Sequence, residues 1–539
     1  MACALLPAGV AAVLPSPRRS AAASKGQANQ VACTNQLHWK LPLSEPHRSW
    51  SLVGCCTCSG SSTGAAMSRR SADAVSFHTD VSLRDSVAAV LGNTRSERNM
   101  HQQLADKATT WLVQHQLIHA VAGNVAPPTP SGGFSLPIVS NHDTAGGLGQ
   151  FDANLTSIGP HIAPVGWPLY GVLVGVGSGQ TRHFYKLGLN LVGNLTWMQC
   201  QPSVPEVRQE GAVFDSAKSP RYKHMKPTDP KCTPPYTPSV RNRCSFYSTS
   251  WNVAAHGYLG SDTFAFAGSP GAGGHNRDVD NLILGCAHTT NGFEHLNHNI
   301  LAGVLSLSRH PTSFMSQLNA RGLTDSRFSY CLFPGQSHPN ARHGFLCFGR
   351  DIPRHDHAQS TSLLFTGLGY SQSSMYYIRV VGISLNRKKL NGVKTAMFRR
   401  DLQTRRGGSV IDPGTPLTRL VRAAYDVVEA EVAADMHKQG ACRSPVPVQG
   451  YHLCFGSWGH AHFPSLTFNL HEEATRLFIK PELLFVRVNQ HLCFTVVPDE
   501  EMTVLGAAQQ VDTRFTFDLP GNHLYFAQEH CSADTRTTV

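Results

Sequence analysis

Ile411-Asp412-Pro413-Gly414-Thr415 and Leu189-Asn190-Leu191-Val192-Gly193-Asn194-Leu195-Thr196-Trp197 decide how this chain is read. Each is an apolar run that ends in a polar residue on a glycine-bearing turn. Two carboxylates held on such turns, within hydrogen-bond reach of each other, share one proton. Like charges that close cannot both ionise, so their pKa values split. The ionised member then acts as base on a water, and the protonated one polarises a carbonyl. A glycine beside each acid lets backbone and substrate approach closely, because it has no Cβ. One stretch supplies its carboxylate, Asp412. The other has Asn190, an amide that titrates at no working pH and can hold a water without taking its proton.

Asp-Pro-Gly alone is also an ordinary turn signal. Its context adds information: Gly407-Gly408-Ser409-Val410-Ile411-Asp412-Pro413-Gly414-Thr415-Pro416-Leu417-Thr418 leads into a helical pattern containing Ala424-Tyr425. This resembles the second catalytic loop of plant pepsin-like aspartic proteases of the nepenthesin type. The resemblance runs from about Tyr170 to Cys531. It includes Leu195-Thr196-Trp197-Met198-Gln199-Cys200, Leu284-Gly285-Cys286-Ala287-His288, Gly303 to Arg309, Arg327 to Leu332, Tyr376-Tyr377-Ile378, Val504 to Gln510 and Phe517-Asp518-Leu519. It implies an all-β, bilobal fold with a peptide cleft between two β-lobes divided near residue 340, and a removable propeptide.

Carried over residue by residue, Asp412 matches the second catalytic Asp and Asn190 occupies the place of the first. Gly193, Gly414 and Thr415 are the accompanying loop residues. The family's Thr and Gly after the first Asp become Leu191 and Val192. Val192 is expected to displace the loop or fill the space for water. The second hydroxyl partner is lost to Pro413, so both members of the hydroxyl clasp between the lobes are missing. Val504-Leu505-Gly506 keeps the turn that packs on a catalytic loop, whereas its counterpart is Val304-Leu305-Ser306. The flap triplet Tyr-Gly-Asp is absent, and Tyr247 is its nearest substitute, offset by a few residues. The resemblance also suggests disulfides Cys331–Cys531 and Cys442–Cys454.

Bulk composition agrees with an all-β protein. In 539 residues, 41% are hydrophobic and only 15% charged, with 47 Gly and 33 Pro to make turns. No apolar run reaches the roughly 18 residues of a spanning helix. Of the 15 cysteines, five precede residue 60 and ten follow from Cys200 onward. They are widely spaced and lack a CxxC pair, which reads as a disulfide framework made in an oxidising compartment. The formal charge is +11. Its clusters, Lys218 to Lys231 and Arg387 to Arg406, lack the interleaved aromatics of a nucleic-acid binder and read as solvated loops, with attraction to an acidic matrix as the sharper alternative.

Residues 1–75 form a leader whose first 44 residues contain no Asp or Glu. It is expected to target the chain to the secretory pathway, the extracellular space or the vacuole, or alternatively to a plastid. Residues 76–160 read as a propeptide-like segment, with 122–160 a Pro-, Gly- and Ser-rich linker. The two lobes are then 161–340 and 341–539. A hairpin is expected around Ser178-Gly179-Gln180, and helices over Ser313–Leu318 and Leu420–Met436. Histidine pairs His355/His357, His460/His462 and His295/His298 have metal-like spacing without a third ligand, so no metal or cofactor is expected. The sequons at Asn154 and Asn194 fall in the propeptide and in a buried segment. The expected function is that of an aspartic endopeptidase family member with impaired catalysis, binding a peptide or protein as a monomer. A slow acid endopeptidase and a non-catalytic, xylanase-inhibitor-like binding protein are the alternatives.

Overall fold

The computed structural model describes residues 133–141, 169–250, 253–266, 277–292, 300–334, 344–365, 373–401, 403–459, 461–471 and 475–531. All of them belong to the unit that begins at Asn124. The leader, the helical pattern of residues 76–120, Asn154, His295, His298 and His460 lie outside the described residues.

The described chain is mostly β-strand, with two α-helices, Phe314–Ala320 (α1) and Arg422–Lys438 (α2). Both fall where apolar spacing predicts them. α1 opens on Ser313, whose hydroxyl accepts from the Ser316 N–H. α2 buries Ala424, Tyr425, Val428, Val432 and Met436, a stripe at helical spacing. The predicted hairpin is present too: Tyr170–Val176 pairs antiparallel with His183–Asn190 across a short turn at Gly179–Thr181.

The main sheet runs in the order Gln359–Ser362, His523–Gln528, Thr513–Asp518, Arg327–Cys331, Gly344–Phe348, Phe134–Ser140, Tyr170–Val176, His183–Asn190, Gly303–Ser306, Trp197–Gln199, Arg277–Asn291, Val253–Phe266, Cys244–Ser250 and Thr237–Pro238. Strands from both ends of the chain therefore meet in one sheet. Arg327–Cys331 pairs with Thr513–Asp518, and Phe328 stacks on Phe517 with ring centroids 4.5 Å apart.

The strand Phe134–Ser140 corrects the linker reading of residues 122–160. It pairs with Gly344–Phe348 on one side and with Tyr170–Val176 on the other. Phe134, Leu136 and Ile138 are buried, and Phe134 stacks on Phe348 and Phe266. Glycine and proline around it made the composition read as a loop. The period-two alternation of Phe134, Leu136 and Ile138 is the signal that prevails.

The oxidised framework is also present. Cys200–Cys286, Cys232–Cys244, Cys331–Cys531 and Cys454–Cys493 are disulfides, and Cys347 is a buried thiol. Cys331–Cys531 is the pair that the resemblance suggests. Cys454 corrects it elsewhere: Cys493 lies directly opposite in the neighbouring strand with Cα atoms 4.0 Å apart, while Cys442 is in register with Ser457. Among the described residues, no helix is long and apolar enough to cross a membrane.

A degenerate carboxylate site

Two copies of one local arrangement position the site. In the first, the strand ending at Asn190 runs parallel to Gly303–Ser306, which in turn lies antiparallel to Trp197–Gln199. In the second, Ser409–Ile411 runs parallel to Thr503–Leu505, which pairs antiparallel with Thr418–Val421. Each strand delivers its terminal polar residue to the start of a turn.

The turns are closed the same way. Asn190 Oδ1 accepts from the N–H groups of Val192 (3.1 Å) and Gly193 (2.5 Å). Asp412 Oδ1 accepts from Gly414 N–H at 3.0 Å, and Thr415 Oγ1 donates to Asp412 Oδ2 at 2.8 Å. An amide oxygen serves as well as a carboxylate for holding such a turn. The first turn is therefore held by an amide oxygen as the second is held by a carboxyl group. Val192 is accommodated as well: its N–H keeps the turn bond, and its side chain is partly exposed.

A second matched pair of contacts lies beneath. Ser306 N–H donates to Thr196 Oγ1, and Gly506 N–H donates to Thr418 Oγ1, both at 3.0 Å. Sequence reasoning missed these two threonines. Their signal is positional: each follows a leucine and stands six residues after Asn190 or Asp412. Ser306 fits where the second half has glycine because its hydroxyl donates to the Gly193 carbonyl.

The two halves are brought together directly. Leu191 N–H donates to Asp412 Oδ1 at 2.8 Å. A Cβ added to Gly414 would lie 2.6 Å from Asn190 Nδ2 and 2.9 Å from the Leu189 carbonyl oxygen, so the second turn passes against the first with no room for a side chain. The two halves are thus joined by a backbone amide bonded to the Asp412 carboxyl. Asp412 is 0% exposed and Asn190 5%. Burial pushes the Asp412 carboxyl above the usual carboxylate range, against the opposing pull of the Leu191, Thr415 and Gly414 donors.

Tyr247 stands elsewhere. It lies on Cys244–Ser250, directly across from His256, and is 67% exposed. Its neighbour Phe246 is buried in the cluster that contains Leu195 and Trp197. By strand alternation Tyr247 therefore faces away from that cluster. Asn194 is engaged at the site's edge, its Oδ1 accepting from Ser374 Oγ at 2.7 Å. Among the described residues, no three potential ligands converge on a metal position.

That raised, buried carboxyl makes a testable statement. A carboxyl with a raised folded-state pKa adds stability in its protonated form. This contribution is complete below the unfolded value near 3.8 and is lost as pH rises through the folded value. Asp412→Asn removes the titration and leaves Thr415 Oγ1 free to turn and accept. Chemical denaturation across pH 3 to 7 should show the variant gaining on the natural chain as pH rises. A difference that stays constant with pH would mean that the folded chain holds the Asp412 proton no more tightly than the unfolded chain does.

Comparison with known proteins follows the same lines. Residues 172–350 match the family model described as xylanase inhibitor N-terminal, and residues 375–528 match xylanase inhibitor C-terminal. Aspartyl protease family protein 2 of Arabidopsis thaliana is 26% identical over 76% of each chain. Nepenthesin-1 of Nepenthes gracilis is 25% identical over 67% of this chain and 78% of its own. The chain belongs to the plant pepsin-like aspartic protease family. Solved structures share the fold. Soybean basic 7S globulin superposes with a TM-score of 0.54 at 20% identity, covering 76% of this chain and all of that one. The structure described as edgp superposes with the same TM-score at 18% identity, covering 76% of this chain and 98% of its own. Within the family, this chain pairs Asp412 with an amide.

Proposed function

We propose that this member of the aspartic protease family binds peptide or protein segments in a cleft between two β-lobes and cuts them poorly or not at all. The observation that carries the reading is the state of Asp412. It is sealed from solvent, its oxygens accept from Leu191, Gly414 and Thr415, and it stands beside Asn190 rather than a second acid. A dyad needs one ionised and one protonated carboxyl around a water. Here one carboxyl acts as a structural joint and its partner cannot titrate. The disulfide framework supports residence in the secretory pathway, outside the cell or in the vacuole.

The test is a pH-scanned cleavage assay on peptide libraries with the natural chain, Asn190→Asp and Asp412→Ala. The natural chain should match the Asp412→Ala background, because losing one member of a catalytic unit costs several orders of magnitude in rate. Asn190→Asp alone should also stay at background. It restores an acid but not the hydroxyl clasp, the glycine at 192 or the glycine at 306. Acid cleavage by the natural chain, lost in Asp412→Ala, would overturn the proposal.

The family models favour a second reading, since both take their description from xylanase inhibitors. A chain that binds a glycoside hydrolase tightly and cleaves nothing would be an inhibitor on a protease scaffold.

A further inference from the structure

The outward face of the first-half sheet carries a group of side chains that the carboxylate site does not use. His256 stands opposite Tyr247, and Tyr258 follows two residues further along the same face. Lys223–His224 pairs at the next position, with His224 opposite Gly260. The Arg243 guanidinium lies 5.4 Å from the Tyr258 ring centroid. His288 lies 5.8 Å from that ring, and Tyr222 lies 5.0 Å from His224. His288 Nδ1 lies 3.0 Å from the Pro202 carbonyl oxygen. The row from His256 to His224 spans about 13 Å at the usual strand rise.

Its charge is one-sided. Between Lys218 and Arg243 there are seven Lys and Arg against one acid, Asp229. Lys218 and Arg221 are paired with Asp215 and Asp280. Lys223, Lys226 and Arg241 are exposed. The other basic cluster differs: the exposed Asn386–Lys389 turn presents cations with no aromatic ring in residues 386–396.

We infer that this shelf binds a segment of anionic polysaccharide, a polyuronate, with Tyr247 and Tyr258 under the sugar rings and Arg243 and the histidines on the carboxylates. Aromatic faces pack on the apolar C–H faces of pyranose rings, and guanidinium groups form paired hydrogen bonds to carboxylates. Neither element alone would select a sugar acid. The row combines them on a rigid sheet over the length of a short oligosaccharide. The choice of polyuronate over RNA rests on the proposed residence in the secretory route, an oxidising route in which disulfides persist.

The experiment measures binding of the full chain to a polygalacturonate digest at fixed low salt. Dextran, polyuridylate RNA and anionic phospholipid vesicles serve as comparison ligands. Polygalacturonate should bind and dextran should not. Arg243→Gln combined with Tyr258→Ser should weaken binding by about tenfold or more. Lys388→Gln with Lys389→Gln, a larger loss of charge elsewhere, should leave it unchanged. If Tyr258→Ser disturbs the fold, the exposed Tyr247→Ser with Arg243→Gln replaces it and should give the same loss. Equal weakening by the Lys388/Lys389 pair would reduce the effect to net charge and overturn the inference. Tighter binding of the RNA or of the vesicles, or no binding of polygalacturonate, would overturn it as well.

Discussion

A chain that begins at Trp167 should not fold, whereas one that begins at Asn124 should unfold cooperatively. By composition, Trp167 is the natural place to start, just beyond the glycine- and proline-rich stretch. It omits Phe134–Ser140, which pairs on both edges within the main sheet. Burying Phe134, Leu136 and Ile138 contributes on the order of 1.5–3 kcal/mol each. Together these approach the whole stability of a typical domain, about 5–15 kcal/mol. Removing the strand also exposes the edges of Gly344–Phe348 and Tyr170–Val176, two rows of unpaired backbone groups that invite aggregation. Near-ultraviolet circular dichroism and a thermal melt of both chains decide the matter. A cooperative transition at the same midpoint in the shorter chain would show that the strand contributes little.

How much of this was legible in the sequence depends on whether side chains or backbone carry the information. The turn around Ser178-Gly179-Gln180 and the stripe of α2 were legible because periodicity reports burial directly. Asp412 and Asn190 were legible as counterparts because each ends an apolar strand before a turn. Their contact was not. It runs through the Leu191 N–H, and a backbone donor leaves no mark on residue identity. The bond at Val192 was hidden for a related reason. The turn is held by N–H groups, which valine supplies as readily as glycine. Gly414 shows the other case: there the neighbouring half leaves no space for a Cβ, so the glycine is a requirement of packing. The same local repeat therefore tolerates a side chain in one half and forbids it in the other. At Gly414 the Cβ position faces the backbone of the other half, whereas the Val192 side chain is partly exposed.

Of the four disulfides placed above among the described residues, that between Cys331 and Cys531 should be the most stabilising. It closes a sequence separation of 200, against 86 for Cys200–Cys286, 39 for Cys454–Cys493 and 12 for Cys232–Cys244. Chain entropy grows with the logarithm of that length. The estimate is about 5 kcal/mol for the longest loop and about 3 kcal/mol for the shortest. Location adds to the argument. Cys331 ends the strand Arg327–Cys331, which pairs with Thr513–Asp518, and Cys531 follows the last strand, its N–H donating to Asp512 at 3.1 Å. The bond therefore ties together the two distant segments whose pairing joins the early and late parts of the chain in one sheet. Both sulfurs are buried, so Cys331→Ala with Cys531→Ala is the suitable change, since serine would strand two hydroxyls. Guanidinium denaturation of this variant and of Cys232→Ala with Cys244→Ala should place the first well below the second in stability. The reverse order would mean that the unfolded chain already holds Arg327–Cys331 near Thr513–Asp518, so that the long loop has little entropy left to lose.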